Sequence, residues 1–179
     1  MATVPYDETQ QFAADSARAF STVVEGHWDA VFRTLWCMTG NTHDAEELTQ
    51  ETFLKALRAF ASFEAGSNVR AWLLRIAVNA CHDLRRKRTT SRELPLADDP
   101  ATSAESPVDR LEIAEQYERL MMAMQELSST ARTVFHLRAG ESLAFREIAR
   151  LLEISEDAAR WHMGQARRKL LKSFPAWED

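Results

Sequence analysis

Cysteine is almost missing from this sequence, and the little there is excludes two common stabilising devices. Cys37 and Cys81 stand far apart, with no CxxC pair and no histidine at ligand spacing, so neither a disulfide framework nor a zinc site is offered. Two ordinary buried thiols are the expectation. The five glycines are scattered and build no phosphate-cradling loop, and no HExxH run or Ser/His/Asp set occurs. No catalytic residue, metal site or cofactor is therefore expected. Long apolar runs are lacking too: nothing approaches the eighteen or so residues of a membrane span. Asp7 and Glu8 lie where a signal peptide carries bases, which leads us to expect a cytoplasmic chain without membrane insertion. A hydrophobic content of 45% is high enough for a folded protein.

The net charge of −5 argues against a nucleic-acid partner only until its distribution is read. Between Arg70 and Arg92 the bases Arg70, Arg75, Arg85, Arg86, Lys87, Arg88 and Arg92 face Asp83 alone. Acids predominate on both sides of this block. Steering depends on local potential, so a basic block within an acidic chain marks a surface address.

Periodicity is helical throughout and no segment alternates long enough for a strand, which makes the fold class all-α. Residues 1–22 read as an N-terminal extension with at most a short, fraying helix around Phe12, Ala13, Ala17 and Phe20. From Trp28 an apolar stripe of Val31, Phe32, Leu35 and Trp36 runs to a C-cap at Gly40. Thr42 is expected to cap the next helix, which buries Ala45, Leu48, Thr52, Phe53, Ala56 and Phe60 and shows Asp44, Glu47, Glu51, Lys55 and Arg58. After a turn at residues 63–68, a helix from about Val69 to Arg88 buries Trp72, Leu73, Ile76, Ala77, Ala80 and Leu84. Residues 23–88 thus form a first helical domain. Residues 89–110, with Pro95, Pro100 and Pro107, read as a flexible acidic linker, and residues 111–179 as a second small helical domain.

Within that second domain, Phe145 to Arg160 has the grammar of a helix-turn-helix. Ile148, Leu151 and Leu152 form a core side, Ala149 is small where helices cross, Ile154 plugs the turn and Ser155 caps the following helix. Glu156, Asp157, Arg160, His162 and Met163 would then face a major groove, with Arg167, Arg168, Lys169 and Lys172 on phosphates. Solvated helix ends would account for the same cations. The helix from Arg70 combines bases with Trp72 and Asn79, as a single-strand binder does, although Trp72 alone reads as core. Ser67 and Asn68 offer hydrogen bonds to an extruded base, or merely a turn. The acidic helix has no histidine or metal spacing beside it. With Thr49, Gln50 and Phe53 it reads as a docking face or as a solvated one. His27, His43, His82 and His136 are expected at the surface or as caps.

Residues 44–56, Asp-Ala-Glu-Glu-Leu-Thr-Gln-Glu-Thr-Phe-Leu-Lys-Ala, and 70–88, Arg-Ala-Trp-Leu-Leu-Arg-Ile-Ala-Val-Asn-Ala-Cys-His-Asp-Leu-Arg-Arg-Lys-Arg, resemble the core-binding and promoter-melting regions of extracytoplasmic-function (ECF) sigma factors. Residues 127–171 are similar to that family's second, minus-35-binding domain, so the resemblance spans about Val23 to Phe174. It implies that Asp44, Glu47, Gln50, Glu51 and Lys55 dock on the clamp helices of bacterial RNA polymerase core. It implies also that the loop with Ser67 and Asn68 captures a flipped minus-10 base, and that Arg70, Arg75, Asn79, Arg85, Arg86 and Arg88 contact the opened strand. Ser155, Glu156, Ala159, Arg160, His162, Arg167 and Arg168 would read promoter DNA at the minus-35 element. An anti-sigma factor is the implied inhibitor, and the chain would act as a monomer within holoenzyme. A helix-turn-helix regulator of duplex DNA that never meets polymerase is the alternative. The departures cluster in one place. Where relatives often read Gly-Thr-Val-Lys-Ser-Arg, this chain has Asp157, Ala158, Ala159, Arg160, Trp161 and His162, and Glu153 replaces a frequent turn glycine. Trp161 is left open between base reading, core packing and partner contact.

Overall fold

The computed structural model describes residues 6–63, 67–91 and 119–174, and among them there is no strand. Helix α1 spans Tyr6–Thr39, α2 Thr42–Ala59 and α3 Val69–Ser91. A short 3-10 turn, Phe60–Ser62, closes α2. In the second half, residues 119–125 form α4. Next, α5 (Ser129–Phe135) widens into a π-type turn, His136–Gly140, before α6 (Phe145–Leu152) and α7 (Glu156–Ser173). The short helix expected within residues 1–22 is corrected in its length: α1 runs unbroken across residue 22, and Phe20 is buried in the core with its ring edge-on to Phe60 at 5.2 Å.

Gly40 ends α1 at φ +73°, a left-handed conformation that glycine adopts without strain. One residue on, the cap of α2 is Asn41 and not the expected Thr42. The Asn41 side chain accepts from the Asp44 amide at 2.7 Å. Thr34, Thr49 and Thr52 are fully buried, and each hydroxyl donates to the carbonyl four residues earlier at 2.6–2.8 Å. Threonine can therefore sit on a core face without an orphan polar atom.

The two halves pack against each other. One apolar cluster runs from Val31, Leu35, Phe53 and Leu73 into Met124, Leu127, Ala131 and Leu170 of the second half. A second cluster is built from Val134, Leu137, Ile148 and Ala159 but also takes in Leu74 from α3. Sequence reading missed this, because α3 carries a second stripe, Leu74, Val78 and Cys81, beside the one assigned to the core. The proposed linker lies outside the described residues except for 89–91, which belong to α3.

Candidate polymerase and nucleic-acid surfaces

Helix α2 divides into a buried face and an outer one. Glu46, Glu47 and Gln50 are exposed, and Lys55 pairs with Glu51 at 2.8 Å, within 4.0 Å of Asp83 on α3. Two leucines stand among them: Leu54 is 55% exposed and Leu57 is 51% exposed. An apolar centre within a charged rim is how a protein-binding patch is arranged. Sequence reading overlooked both leucines, although Glu47, Gln50, Leu54 and Leu57 follow one another at helical steps of three, four and three, which was the available signal. One member of the expected set is corrected. Asp44 is 7% exposed and its carboxylate receives both Nη atoms of Arg88, at 2.6 and 2.7 Å. It ties α2 to α3 and presents no free carboxylate to a partner. Thr49, also expected in that surface, is buried.

The cations of α3 separate in the same way. Asn68, Arg75, Asn79 and Arg86 lie at helical spacings of seven, four and seven and share one exposed stripe. Its length is roughly 27 Å at about 1.5 Å per residue. Asn68 also caps α3, its Oδ1 accepting from the Ala71 amide at 3.0 Å, and Ser67 beside it is exposed. Arg86 makes a surface ion pair with Asp83. The other three expected cations are engaged within the fold: Arg88 on Asp44, Arg85 through Nη2 on the Met38 carbonyl at 2.5 Å, and Arg70 on Glu141 of the second half. Trp72 packs on Phe63, with ring centroids 4.8 Å apart, and joins the core cluster. The core reading of that residue therefore holds. Residues 64–66 of the expected base-capturing loop lie outside the described residues.

Helix α1 has no base in its last turn, and bases from elsewhere close it. Besides Arg85, the buried Arg132 of α5 donates from Nε to the Cys37 carbonyl at 2.8 Å, its guanidinium 5.2 Å from the centre of the Trp36 ring. Cations are favoured at this negative end of the helix dipole. Beside it His136, expected at the surface or as a cap, follows the last residue of α5 in the C-cap position and is nearly buried. The Thr34 hydroxyl already donates to Ala30, so the 3.1 Å contact makes His136 Nε2 the donor to Thr34 Oγ1. The same Nε2 is 3.5 Å from Glu141 Oε1. Burial pushes the His136 pKa down to about 4, with Arg33 and Arg70 adding to the effect. Both cysteines are buried and free, as expected, and burial pushes the Cys37 thiol up to about 12.

The helix-turn-helix is built as its residues predict. Ile148 and Ala149 are buried, the Ile154 amide donates to the Ala149 carbonyl at 3.0 Å, and Ser155 Oγ accepts from the Ala158 amide at 3.0 Å. The Glu147 carboxylate reaches back to the Ala144 amide at 2.8 Å. Glu153 occupies the turn at φ 55°, ψ 40°, the conformation for which glycine is favoured. Ala159 corrects the expected base-reading set: it is fully buried at the α6–α7 crossing and cannot touch DNA. Glu156 and Arg160 pair at 2.5 Å, and the guanidinium sits 4.8 Å from the Phe145 ring centre. Arg167 and Arg168 are exposed, while His162 is partly covered and stands edge-on to Trp161.

Comparison with known proteins gives both halves a counterpart. Residues 23–90 match Sigma-70 region 2 and residues 117–170 match Sigma-70, region 4. The ECF RNA polymerase sigma factor SigM of Bacillus subtilis is 30% identical over 153 residues, covering 83% of this chain and 90% of that protein. The ECF sigma factor SigE of Mycolicibacterium smegmatis is 30% identical over 172 residues, covering 94% of this chain, which spans 65% of SigE. Among solved structures, CnrH in complex with the cytosolic domain of CnrY is 28% identical with a TM-score of 0.57, covering 93% of this chain and 96% of CnrH. Among the described residues, no helix is long and apolar enough to cross a membrane.

Proposed function

Because this chain belongs to the ECF branch of the sigma-70 family, we propose that it binds RNA polymerase core, directs it to specific promoters and helps open the minus-10 region. The observation that carries this reading is the pairing, in the family's order, of an outward α2 patch with the polar stripe of α3 and a helix-turn-helix. A regulator acting on duplex DNA alone would use the helix-turn-helix and leave the other two surfaces idle. In this reading residues 23–88 form the core-binding and melting half, and residues 111–179 form the minus-35 half. Glu47, Gln50, Glu51, Leu54 and Leu57 meet polymerase, with Lys55 holding Glu51 in place. Ser67, Asn68, Arg75, Asn79 and Arg86 receive the opened strand, and Ser155, His162, Arg167 and Arg168 lie along duplex DNA. Arg70 joins the strand-binding set once Glu141 releases it.

The protein performs no chemistry of its own and works in the cytoplasm. Binding energy offsets the few kcal/mol needed to unstack a base. The sigma factor CnrH is solved in complex with the cytosolic domain of another protein, CnrY; for this chain the corresponding partner is an anti-sigma protein that controls it by covering these same surfaces. The test is run-off transcription with core polymerase over a promoter library. Transcripts that appear only with this chain are expected, and their absence with competent core would sink the reading.

A further inference from the structure

The base-reading side of α7 is not the one its sequence advertises. Ala159 is buried, and Glu156 and Arg160 neutralise each other against Phe145. Opposite the buried Ala159, Ala166 and Leu170, helical geometry places Asp157, Trp161, Gly164, Arg168 and Lys172 along one line, at steps of four, three, four and four. Trp161 is 58% exposed at the middle of that line. Its ring meets His162 edge-on, with centroids 4.9 Å apart and planes at 76°, which limits the rotamer freedom it would lose on binding. One turn on, a Cβ at Gly164 would meet nothing within 4 Å. Between indole and Arg168 the surface is therefore open down to the helix backbone.

From this arrangement we propose that Trp161 and Gly164 form an apolar slot for the C5-methyl group of a thymine in the major groove, flanked by Arg168 and Lys172 on phosphates. The proposal rests on the reading of α7 as the promoter-reading helix. Indole offers one donor and no acceptor, so its large apolar edge is what discriminates, and the thymine methyl is the apolar mark of the major groove. Glycine permits the close approach. A single large aromatic between Asp157 and the cations Arg168 and Lys172 differs from the patch on α2: among the described residues the other large exposed hydrophobics, Leu54, Leu57 and Met122, lie on α2 and α4. A protein-docking role for Trp161 is correspondingly disfavoured.

The test uses holoenzyme assembled from the full chain and core polymerase, selecting from a library randomised upstream of the start site. Wild-type holoenzyme is expected to select a thymine at one upstream position. Replacing it by deoxyuridine, which lacks only the methyl, should weaken binding about three- to fivefold, the worth of one buried methyl group. Trp161→Ala should lose that preference and respond equally to both bases. Gly164→Leu should do the same while keeping or raising thermal stability, since glycine is a poor helix residue. The slot is overturned if Trp161→Ala selects the same thymine with the same deoxyuridine penalty. It is equally overturned if the variant loses core affinity and keeps its sequence preference, which would make Trp161 a protein contact. If wild-type holoenzyme selects no element and gives no transcript, the promoter-reading function itself falls, and the slot with it.

Discussion

Replacing Arg132 by methionine removes the Nε hydrogen bond to Cys37 and one charge from the junction of the two halves while keeping much of the side-chain volume. The Nε hydrogen bond to the Cys37 carbonyl, at 2.8 Å, is of the charged type, worth about 1.5–3 kcal/mol. The guanidinium over the Trp36 ring adds about 0.5–2 kcal/mol in a desolvated setting. Methionine recovers part of the packing and avoids burying a charge, which brings the expected net loss to about 2–3 kcal/mol. For a chain of this size that lowers Tm by about 5–10 °C. Gly40 supplies an independent check. A Cβ there would lie 2.8 Å from Arg132 Nη2, and the residue is at φ +73°. Gly40→Ala thus carries both a backbone penalty of about 1–2 kcal/mol and a collision with Arg132. In the Arg132→Met background only the backbone penalty persists, so the double variant should be less destabilised than the sum of the singles by about 1 kcal/mol. Urea unfolding followed by circular dichroism measures the cycle, and small-angle scattering should show the halves separating more readily in Arg132→Met. A loss below about 0.5 kcal/mol, or strict additivity with Gly40→Ala, would refute the claim that this arginine clasps the two halves.

Three further outcomes are expected. Leu54→Arg should weaken association with polymerase core at least about tenfold, as loss of an interface anchor does, and should leave Tm within a degree or two because the side chain is half exposed; equal affinity in a pull-down titration would remove Leu54 from that interface. His136 has a folded pKa near 4 against an ordinary 6.5, so the folded chain binds fewer protons in that window. Its contribution is complete above about pH 6.5 and is lost as pH falls towards 4, reaching roughly 2 kcal/mol at pH 5. Urea midpoints at pH 7.5 and pH 5 should converge in His136→Asn, apart from a remainder from His27, which burial also pushes down; an unchanged pH slope would contradict the assignment. Glu153→Gly should raise stability by about 1 kcal/mol by relieving the left-handed turn, and a lower Tm would show that the glutamate compensates in some other way.

The helix-turn-helix was legible from sequence because it is local. Ala149, Ile154 and Ser155 each carry a distinct steric or hydrogen-bonding demand within a dozen residues, and the structure meets all three. The α2 face was legible in outline, but a period count cannot tell an exposed carboxylate from one held by a distant arginine. Asp44 and Arg88 are 44 residues apart, and their pairing has no local signature. The junction of the halves was illegible for the same reason: Arg132, His136 and Glu141 have the polarity of surface residues. The continuity of α1 was missed because its first turns have little apolar periodicity. One clue was present and misread. Helix α3 is apolar on two sides, and a helix with two apolar stripes needs two neighbours.

Leu74 gives that second stripe a consequence for the lineage as well as for the molecule. It is a first-half residue that is 1% exposed and completes the core of the second half. Recombination that exchanged residues 111–179 for a relative's version would therefore present Leu74 with a differently shaped socket. A hybrid of this kind inherits new promoter taste and a new packing problem together, on the scale of the about 2–5 kcal/mol that truncating Leu74 to alanine costs. The two modules can diversify only as fast as the contact between them is repaired.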